Sequence, residues 1–152
     1  MCGVIIRRKT ASDVDAITAI ADLLPEWFTQ SARREIPVDA SVQDGFVAVL
    51  EDRTVGFILF LVWEAVAHIS WLGVHPEHQR RGIGKRLVEH VEGLLRPSGV
   101  EALEVKTLSD TVEYEPYERT RAFYQAAGFE PCKRVRHDNP ECPESLHLRK
   151  DL

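Results

Sequence analysis

The sequence predicts a single α/β domain whose sheet is mixed rather than all-parallel. Its 152 residues suit one domain and are enough to bury a substantial core. Apolar residues recur with a period of two in some segments and of 3.6 in others, and the chain has no linker, internal repeat or low-complexity stretch. The expected order is strand, helix, helix, three strands, helix, strand, helix and two strands, which is typical of an α/β domain.

The first third of the chain predicts one strand and two helices. Val4–Arg8 is the strand, and Thr10 or Ser12 can cap the helix that follows it. A second short helix is expected over Glu26–Glu35, with Pro37 ending it because proline cannot donate the N–H that a helix interior needs. The apolar face of the first helix, at helical spacing, consists of Val14, Ile17, Ala21 and Leu24.

Three strands come next, and the last of them leads into a helix. The segments "DGFVAVLE", "TVGFILFLVW" and "AVAHISWLGV" are rich in β-forming residues, and "EDRT" between the first two is typical of a hairpin turn. The apolar period then changes to 3.6, which predicts a helix from Gly82 to about Leu95 that ends at "RPSG". Its apolar face consists of Ile83, Leu87, Val88, Val91, Leu94 and Leu95.

The last third predicts a strand, a helix and two closing strands. "EALEVKTL" is the strand, and the polar loop "SDTVEYEP" follows it. A helix is expected over Tyr117–Ala127, with Gly128 as its C-cap. The closing strands lie near Glu130–Arg136 and Ser145–Lys150, joined by a turn that contains two prolines.

Composition and charge disfavour two classes of partner. The net charge is −5, with 24 acidic against 19 basic residues, whereas nucleic-acid-binding proteins are usually basic. The longest apolar run, Val55–Trp63, is shorter than the roughly 20 residues of a membrane-spanning helix. The N-terminal segment lacks the pattern of a signal peptide, and the cysteines are odd in number, so we expect a cytoplasmic protein with reduced thiols.

Four potential zinc ligands recur at every fifth position near the C-terminus: Cys132, His137, Cys142 and His147. Zinc sites usually use closely spaced pairs of such residues, and a period of five matches neither face of a strand nor of a helix. We therefore predict no metal site and interpret these as loop and strand residues.

The segment "QRRGIG" at the junction of a strand and a helix suggests a phosphate site. Unpaired N–H groups at a helix N-terminus, glycines and adjacent arginines all suit phosphate oxygens. A Walker A loop would need glycine at Gln79 and Ser or Thr at Arg86, and a dinucleotide turn would need glycine at Leu87. What remains is a pyrophosphate held mainly by the backbone without magnesium, or a tight turn with solvated arginines.

The context of this segment resembles the GNAT family of N-acetyltransferases. "VHPEHQRRGIGKRLV" is similar to the family's acyl-CoA signature, in which Gln79, Gly82 and Gly84 match the pattern Gln/Arg-x-x-Gly-x-Gly/Ala. "RAFYQAAGFEP" resembles the family's later motif, a helix with a tyrosine that ends in Gly-Phe. The resemblance implies the GNAT fold, with a mixed, mostly antiparallel central sheet flanked by helices.

The resemblance also implies acetyl-CoA as co-substrate, with no metal. Backbone N–H groups from Gln79 to Gly84 would bind the CoA pyrophosphate, and the preceding strand would pair with the pantetheine arm at Leu72 and Val74. The residues implied in binding acetyl-CoA are Leu72, Gly73, Val74, Gln79, Arg80, Arg81, Gly82, Ile83, Gly84, Lys85 and Tyr124.

Acetyl transfer to an amine needs a proton donor, an oxyanion donor and a route for the proton of the amine. Tyr124 is the candidate acid because a phenol, with a pKa of about 10, can protonate a thiolate whose thiol has a pKa of about 8.5; the alternative is a core tyrosine. The resemblance implies the Leu72 N–H as oxyanion donor. His68 is the candidate base or a residue that merely lines the pocket, and strand alternation predicts it on the same face as Ser70 and Leu72.

Other positions bear on the acceptor. Glu64 is a second choice of base, acting through water, although members of the family often have no dedicated base. Where the family often has Asn, this chain reads "LEVKTLSD", with Lys106 in the strand and Ser109 as a weak substitute. Acidic and aromatic residues could attract a cationic amine, or the acidic ones could be solvated: Asp110, Glu113, Glu115, Glu118, Trp27, Phe28 and Glu35.

The sequence therefore predicts an N-acetyltransferase that moves an acetyl group from acetyl-CoA to a primary amine by direct transfer. The acceptor stays open between a small amine and a protein amine. We expect neither nucleic acid nor membrane as a partner, and a monomer or a homodimer. The alternatives are a non-catalytic acyl-CoA sensor of the same fold and a zinc-stabilised interaction domain.

Overall fold

Seven strands form one sheet in the computed structural model, which describes residues 3–152. The sheet order is β1-β2-β3-β4-β5-β7-β6. The strands are β1 (Val4–Arg8), β2 (Asp44–Leu50), β3 (Arg53–Trp63), β4 (Val66–Val74), β5 (Ala102–Leu108), β6 (Glu130–Arg136) and β7 (Glu144–Asp151). The α-helices within residues 3–152 are α1 (Val14–Asp22), α2 (Gln30–Val42), α3 (Ile83–Leu95) and α4 (Glu115–Ala126).

The sheet is mixed and mostly antiparallel, as predicted. Only β4 and β5 run parallel, and α3 supplies the crossover that a parallel pair requires. Their pairing is short, because Val66–Ile69 lie opposite Ala102–Val105 and no pairing continues beyond them. β5 stays paired with β7 along its whole length, so β4 and β5 separate after Ile69 and leave a gap inside the sheet.

The helices cover the two faces of the sheet unequally. On one face, α3 and α4 pack against all of the sheet except its outermost strand β6, burying residues such as Leu87, Val91 and Phe129. On the other face, α1 and α2 bury Ile17, Ile36 and their neighbours against β2, β3 and part of β4, and β5, β6 and β7 contribute nothing to this second cluster. The second face of the C-terminal strands is consequently polar.

The second helix differs from its prediction in both position and length. α2 spans Gln30–Val42, and Thr29 caps its N-terminus by accepting a hydrogen bond from the Ala32 N–H at 3.1 Å. Pro37 lies inside the helix and does not end it. An interior proline costs about 3 kcal/mol, and burial of Ile36 and Ala40 on the same helix offsets that cost.

A β-bulge in β4 changes which residues share a face. Leu59 of β3 lies opposite Trp71 and Phe60 lies opposite Ile69, so Ser70 is an extra residue without a partner. Ile69 and Leu72 both pack toward the α3 and α4 side, which regular alternation would not allow. The prediction that His68 and Leu72 lie on one face is therefore wrong, because the bulge reverses the alternation between them.

The remaining elements were predicted to within two residues. The "EDRT" hairpin has positive φ at Glu51 and Asp52, which is typical of the tight turn that joins two antiparallel strands. α4 begins two residues earlier than predicted, at Glu115, and Gly128 after it has a φ of 99°. Within residues 3–152, no helix is long and apolar enough to cross a membrane.

Candidate active site

The gap between β4 and β5 opens into a cavity of about 580 Å³. β4 and β5 form its floor, α4 and the loop between α1 and α2 form its walls, and the N-terminus of α3 lies at one end. Because β4 continues from Ser70 to Val74 with no strand on its β5 side, main-chain groups along that edge are available to a ligand. Leu72, Gly73 and Val74 all line the cavity, where the resemblance places the pantetheine arm.

The N-terminus of α3 has unpaired donors. Gly82 is its N-cap, with a φ of 80°, and no side chain caps the helix. The first amide to bond inside the helix is that of Arg86, which donates to the Gly82 carbonyl at 3.1 Å, and the N–H groups of residues 79–85 donate to nothing within residues 3–152. The first turn contains no carboxylate. These N–H groups and the positive end of the helix dipole suit an anion.

The side chains around this terminus differ in their roles. Gln79 donates from Nε2 to the Val74 carbonyl at 3.0 Å, which closes the loop back onto β4. Arg80 and Lys85 line the cavity. Arg81 does not line it; the side chain is exposed and lies 3.4 Å from Nδ1 of His78. Of the three predicted cations, the structure therefore brings two to the site.

The two glycines of "GIG" serve different purposes. Gly82 needs its positive φ, and a Cβ there would meet no atom within 4 Å. A Cβ on Gly84 would lie 3.2 Å from Cζ of Phe123 on α4, so the absence of a side chain lets α3 and α4 approach closely. Ile83 is buried beneath the loop and lines the inner end of the cavity.

Tyr124 is at once a core residue and a cavity residue. Its ring packs edge to face on Phe123 and Phe129, with centroids 5.1 and 5.2 Å away. The hydroxyl bonds to no group in residues 3–152, where Gln43 Oε1 is the sole fully buried side-chain polar atom without a partner, so the hydroxyl must reach the cavity. Burial, and then the nearby Tyr117, raise the pKa of Tyr124, so the phenol stays protonated at neutral pH.

The loop between α1 and α2 is fastened to the start of α4. Trp27 donates from Nε1 to the Pro116 carbonyl at 3.0 Å, and Tyr117 donates from its hydroxyl to the Trp27 carbonyl at 2.8 Å. Tyr114 donates to the Glu26 carbonyl at 2.6 Å. Burial raises the pKa of Tyr117 to about 12, so it remains a donor. The sequence did not reveal Tyr117 as a cavity residue, because a tyrosine in an acidic loop gives no signal of long-range contacts.

Every charged side chain that lines the cavity is cationic: Arg80, Lys85, Lys106 and Arg119. Trp27 and Phe28 line it as predicted, but the acidic residues named with them do not. Asp110 pairs with Arg134 at 2.9 Å and Glu115 pairs with Arg119 at 2.6 Å. Of the two alternatives for these acidic residues, the structure therefore agrees with solvated carboxylates, because they face solvent or neighbouring arginines.

His68 lies on the far side of the gap. It lines a second recess of about 360 Å³ together with Trp63, Glu104 and others, and it does not line the main cavity. The two recesses share Ile69, Ser70, Val105 and Lys106, so they meet where β4 and β5 separate. Glu64 is exposed in the turn between β3 and β4 and lines neither recess.

Comparison with known proteins decides the family. Residues 42–131 match the sequence profile of the Acetyltransferase (GNAT) domain. The chain belongs to the GNAT acetyltransferase family. Its fold is that of a GNAT-family protein from Desulfovibrio desulfuricans, with a TM-score of 0.85, 19% identity, and coverage of 97% of this chain and 98% of that one. No curated protein sequence is significantly similar to the chain.

Two structures with the same fold contain the donor or its product. A GNAT-family acetyltransferase from Elizabethkingia anophelis was solved with acetyl-CoA bound; its TM-score is 0.77 at 18% identity, with 100% of both chains covered. The PaiA N-acetyltransferase from Thermoplasma acidophilum was solved in complex with coenzyme A; its TM-score is 0.74 at 15% identity, with 99% of this chain and 100% of that chain covered. The TM-scores show a common fold, and at such low identity the likeness shows the fold alone.

GNAT enzymes often have an Asn in the region of β5, where this chain has Lys106 in the strand and Ser109 directly after it. Ser109 is buried and donates to Oε1 of Glu144 at 2.7 Å, outside the cavity, so it does not replace that Asn in the site. Lys106 lies in the gap itself and lines both recesses.

The residues with a five-residue period do not converge on a metal. Within residues 3–152, no three His, Cys, Asp or Glu side chains come close enough to hold an ion. His137 and His147 instead lie 2.9 and 3.2 Å from Oγ of Ser145 through their Nε2 atoms. Cys132 is exposed and Cys142 half-buried, both with free thiols, and Cys2 lies outside the described residues.

Proposed function

We propose that this GNAT protein is an N-acetyltransferase that moves an acetyl group from acetyl-CoA to a primary amine by direct transfer. One observation carries the proposal above the others. The uncapped N-terminus of α3, with its free N–H groups, opens into the same cavity as Tyr124, along the unpaired edge of β4. This arrangement supports a phosphate site and a proton donor in one cavity.

The residues fit acetyl-CoA as co-substrate. The N–H groups of residues 79–85 would hold the pyrophosphate, with Arg80 and Lys85 adding charge. The free edge of β4 at Leu72 and Val74 would hydrogen-bond the amide groups of the pantetheine arm, as an added strand does. When bound, acetyl-CoA supplies the activated acyl group.

We assign one residue of the protein to the leaving sulfur, one to the carbonyl oxygen and one to the proton of the amine. The neutral amine forms the C–N bond as the C–S bond breaks, and the Tyr124 hydroxyl donates its proton to the departing sulfur. The Leu72 N–H would donate to the carbonyl oxygen as negative charge develops there. The proton lost by the amine would reach His68 through water, because His68 faces the recess on the opposite side of the gap. Glu64 lines neither recess, and we assign it no role.

The test is release of CoA from acetyl-CoA in the presence of a library of primary amines, with mass spectrometry to identify acetylated products. Acetylation of at least one amine, at a rate that depends on enzyme concentration, is the expected result. Tight binding of acetyl-CoA with no product from any small amine or peptide would instead favour the non-catalytic acyl-CoA sensor. Absence of acetyl-CoA binding would exclude both.

A further inference from the structure

Lys106 occupies the junction of the two recesses and has no partner there. It is the residue of β5 directly after Val105, at which the pairing of β4 with β5 stops. Val105 packs against the α3 and α4 side, so Lys106 points toward the opposite face, beside Trp63 and His68. The ammonium makes no salt bridge and no hydrogen bond within residues 3–152.

The surroundings of Lys106 do not neutralise it. Glu104, the one carboxylate that lines the second recess, is bonded to Nη1 of Arg149 at 2.9 Å. His147 lies opposite Lys106 in the register of β5 and β7, and opposite Lys133 in that of β6 and β7. Burial first, then Lys106 and Lys133, lower the pKa of His147, and Glu104 acts in the opposite direction.

No carboxylate lines the main cavity to offset this charge. An acceptor with several positive charges would be repelled by Lys106, which makes no ion pair within residues 3–152, whereas Arg119 is already paired with Glu115 at 2.6 Å. The aromatic wall of Trp27 and Phe28 can take an uncharged body, and Arg119 already stacks on the Trp27 ring at 5.4 Å. The electrostatic requirement of the site is thus for an anion near Lys106 and a neutral amine beside it.

We propose that the acceptor amine carries an anionic group, a carboxylate or a phosphate, and that Lys106 binds this group. The proposal rests on the acetyl transfer proposed above. Lys106 directly follows Val105, the last residue of β5 that pairs with β4, and Ile69, the partner of Val105, lies three residues before Leu72. The acceptors that suit this proposal have the anion and the amine separated by a few bonds, as in short amino acids and aminoalkyl phosphates.

The test uses acceptors matched in shape and different in charge. γ-Aminobutyrate and 2-aminoethyl phosphate supply the two anions, γ-aminobutyramide removes the charge, and 1,4-diaminobutane reverses it. We expect kcat/KM for the better anion to exceed those for the amide and the diamine by roughly tenfold or more, as for a charged hydrogen bond. The anion with the higher kcat/KM identifies the group that Lys106 binds.

Variants connect the preference to the residue. Lys106→Gln should raise KM for the anionic acceptor by about tenfold and leave KM for acetyl-CoA unchanged, and Lys106→Arg should recover part of the loss. Lys133→Gln is the matched control, because Lys133 is an exposed cation of the same patch that lines neither recess. An unchanged KM in Lys106→Gln, or equal losses in both Gln variants, would overturn the assignment.

The results also distinguish failure of the proposed anion preference from failure of the proposed acetyl transfer. If the diamine or the amide is acetylated as well as the anions, the inference fails and acetyl transfer stands. If none of the four amines, and no other amine of the library, is acetylated, acetyl transfer itself fails. Calorimetric titration of the anions into the CoA-bound protein then decides separately whether Lys106 binds them, and no heat with either anion would overturn the binding site as well.

Discussion

Tyr124 combines a ring that packs in the core with a hydroxyl that has no partner in the described part of the chain. The ring is held between Phe123 and Phe129. A donor placed by rigid packing loses little conformational entropy when it acts. The pKa of Tyr124 is raised, first by burial, so the phenol is protonated at neutral pH.

Tyr124→Phe should lower kcat by about 100-fold, because the variant keeps the packing and loses only the donor. The Kd for CoA, measured by calorimetry, should stay within about twofold, and the melting temperature should change little since the hydroxyl bonds to no protein group. Turnover equal to that of the wild type would mean that another group protonates the sulfur.

His147 should make folding sensitive to mild acid. Its pKa in the folded protein is lowered from 6.5, first by burial and then by Lys106 and Lys133. The unfolded chain thus binds more protons in the interval below 6.5, so the free energy of unfolding decreases as pH falls through that interval and is recovered as pH rises. Urea denaturation between pH 5 and 8 should show a smaller decrease for His147→Gln than for the wild type.

The same histidine reports on its neighbour. Removing the charge of Lys106 in Lys106→Gln should raise the pKa of His147, which NMR titration of the imidazole can follow. A pKa of His147 that is the same in both proteins would show that the two side chains do not interact.

The N-terminus of α3 is the element at which we propose that the pyrophosphate of the donor binds. Its first N–H groups donate to nothing within residues 3–152, and Gly84 sits in its first turn beside Phe123. A helix end with this many unpaired donors and no acidic cap is stabilised when an anion occupies it. α4 adjoins this helix end, because Phe123 packs against Gly84 and Tyr124 is the next residue of α4.

Gly84→Glu should abolish CoA binding, since it places a side chain against Phe123 and a negative charge at the phosphate site. Gly93→Glu is a matched control. Gly93 is an exposed residue of the same helix where a Cβ would meet nothing within 4 Å, and the change in net charge is identical. Calorimetry should detect CoA binding by the Gly93 variant alone, and binding by both would refute this helix end as the phosphate site.

The molecule as a whole is divided by the gap between β4 and β5. α1 and α2 stabilise the N-terminal strands, the C-terminal strands pair among themselves, and the parallel contact between the halves spans four residue pairs. The ligand proposed here would fill this gap and add contacts to both halves. Its binding should thus be visible in the stability of the entire domain.

Saturating CoA should raise the melting temperature. At a concentration 100 times Kd, binding to the native state adds about 2.7 kcal/mol, which corresponds to roughly 5 to 10 °C for a domain of this length. Scanning fluorimetry should show the shift for the wild type and for Gly93→Glu but not for Gly84→Glu. A wild-type protein without any shift would contradict a CoA site.

The sequence predicted correctly those helices and strands whose signals lie within a short run of residues. The period of α3, the glycines at its start and the helix that contains Tyr124 are each encoded in a short run of residues. The sequence alone therefore predicted them. α2 was misplaced because Pro37 is a strong local signal, whereas burial of Ile36 and Ala40 is a tertiary effect. The face of His68 was wrong because a bulge depends on the register of two strands, which no single strand encodes.

The sequence by itself determined the element order, because periodicity is encoded within short segments, and its resemblance to the GNAT motifs indicated the family. It also located the helix end at which we propose that phosphate binds. Tertiary structure decided the charge and composition of the acceptor side. Only folding brings Lys106, Trp27 and Tyr117 to one gap and pairs Asp110 and Glu115 with arginines. The electrostatics of that side depend on which charges are paired: Asp110 pairs with Arg134, which is distant in sequence, and Glu115 pairs with Arg119 of the same helix.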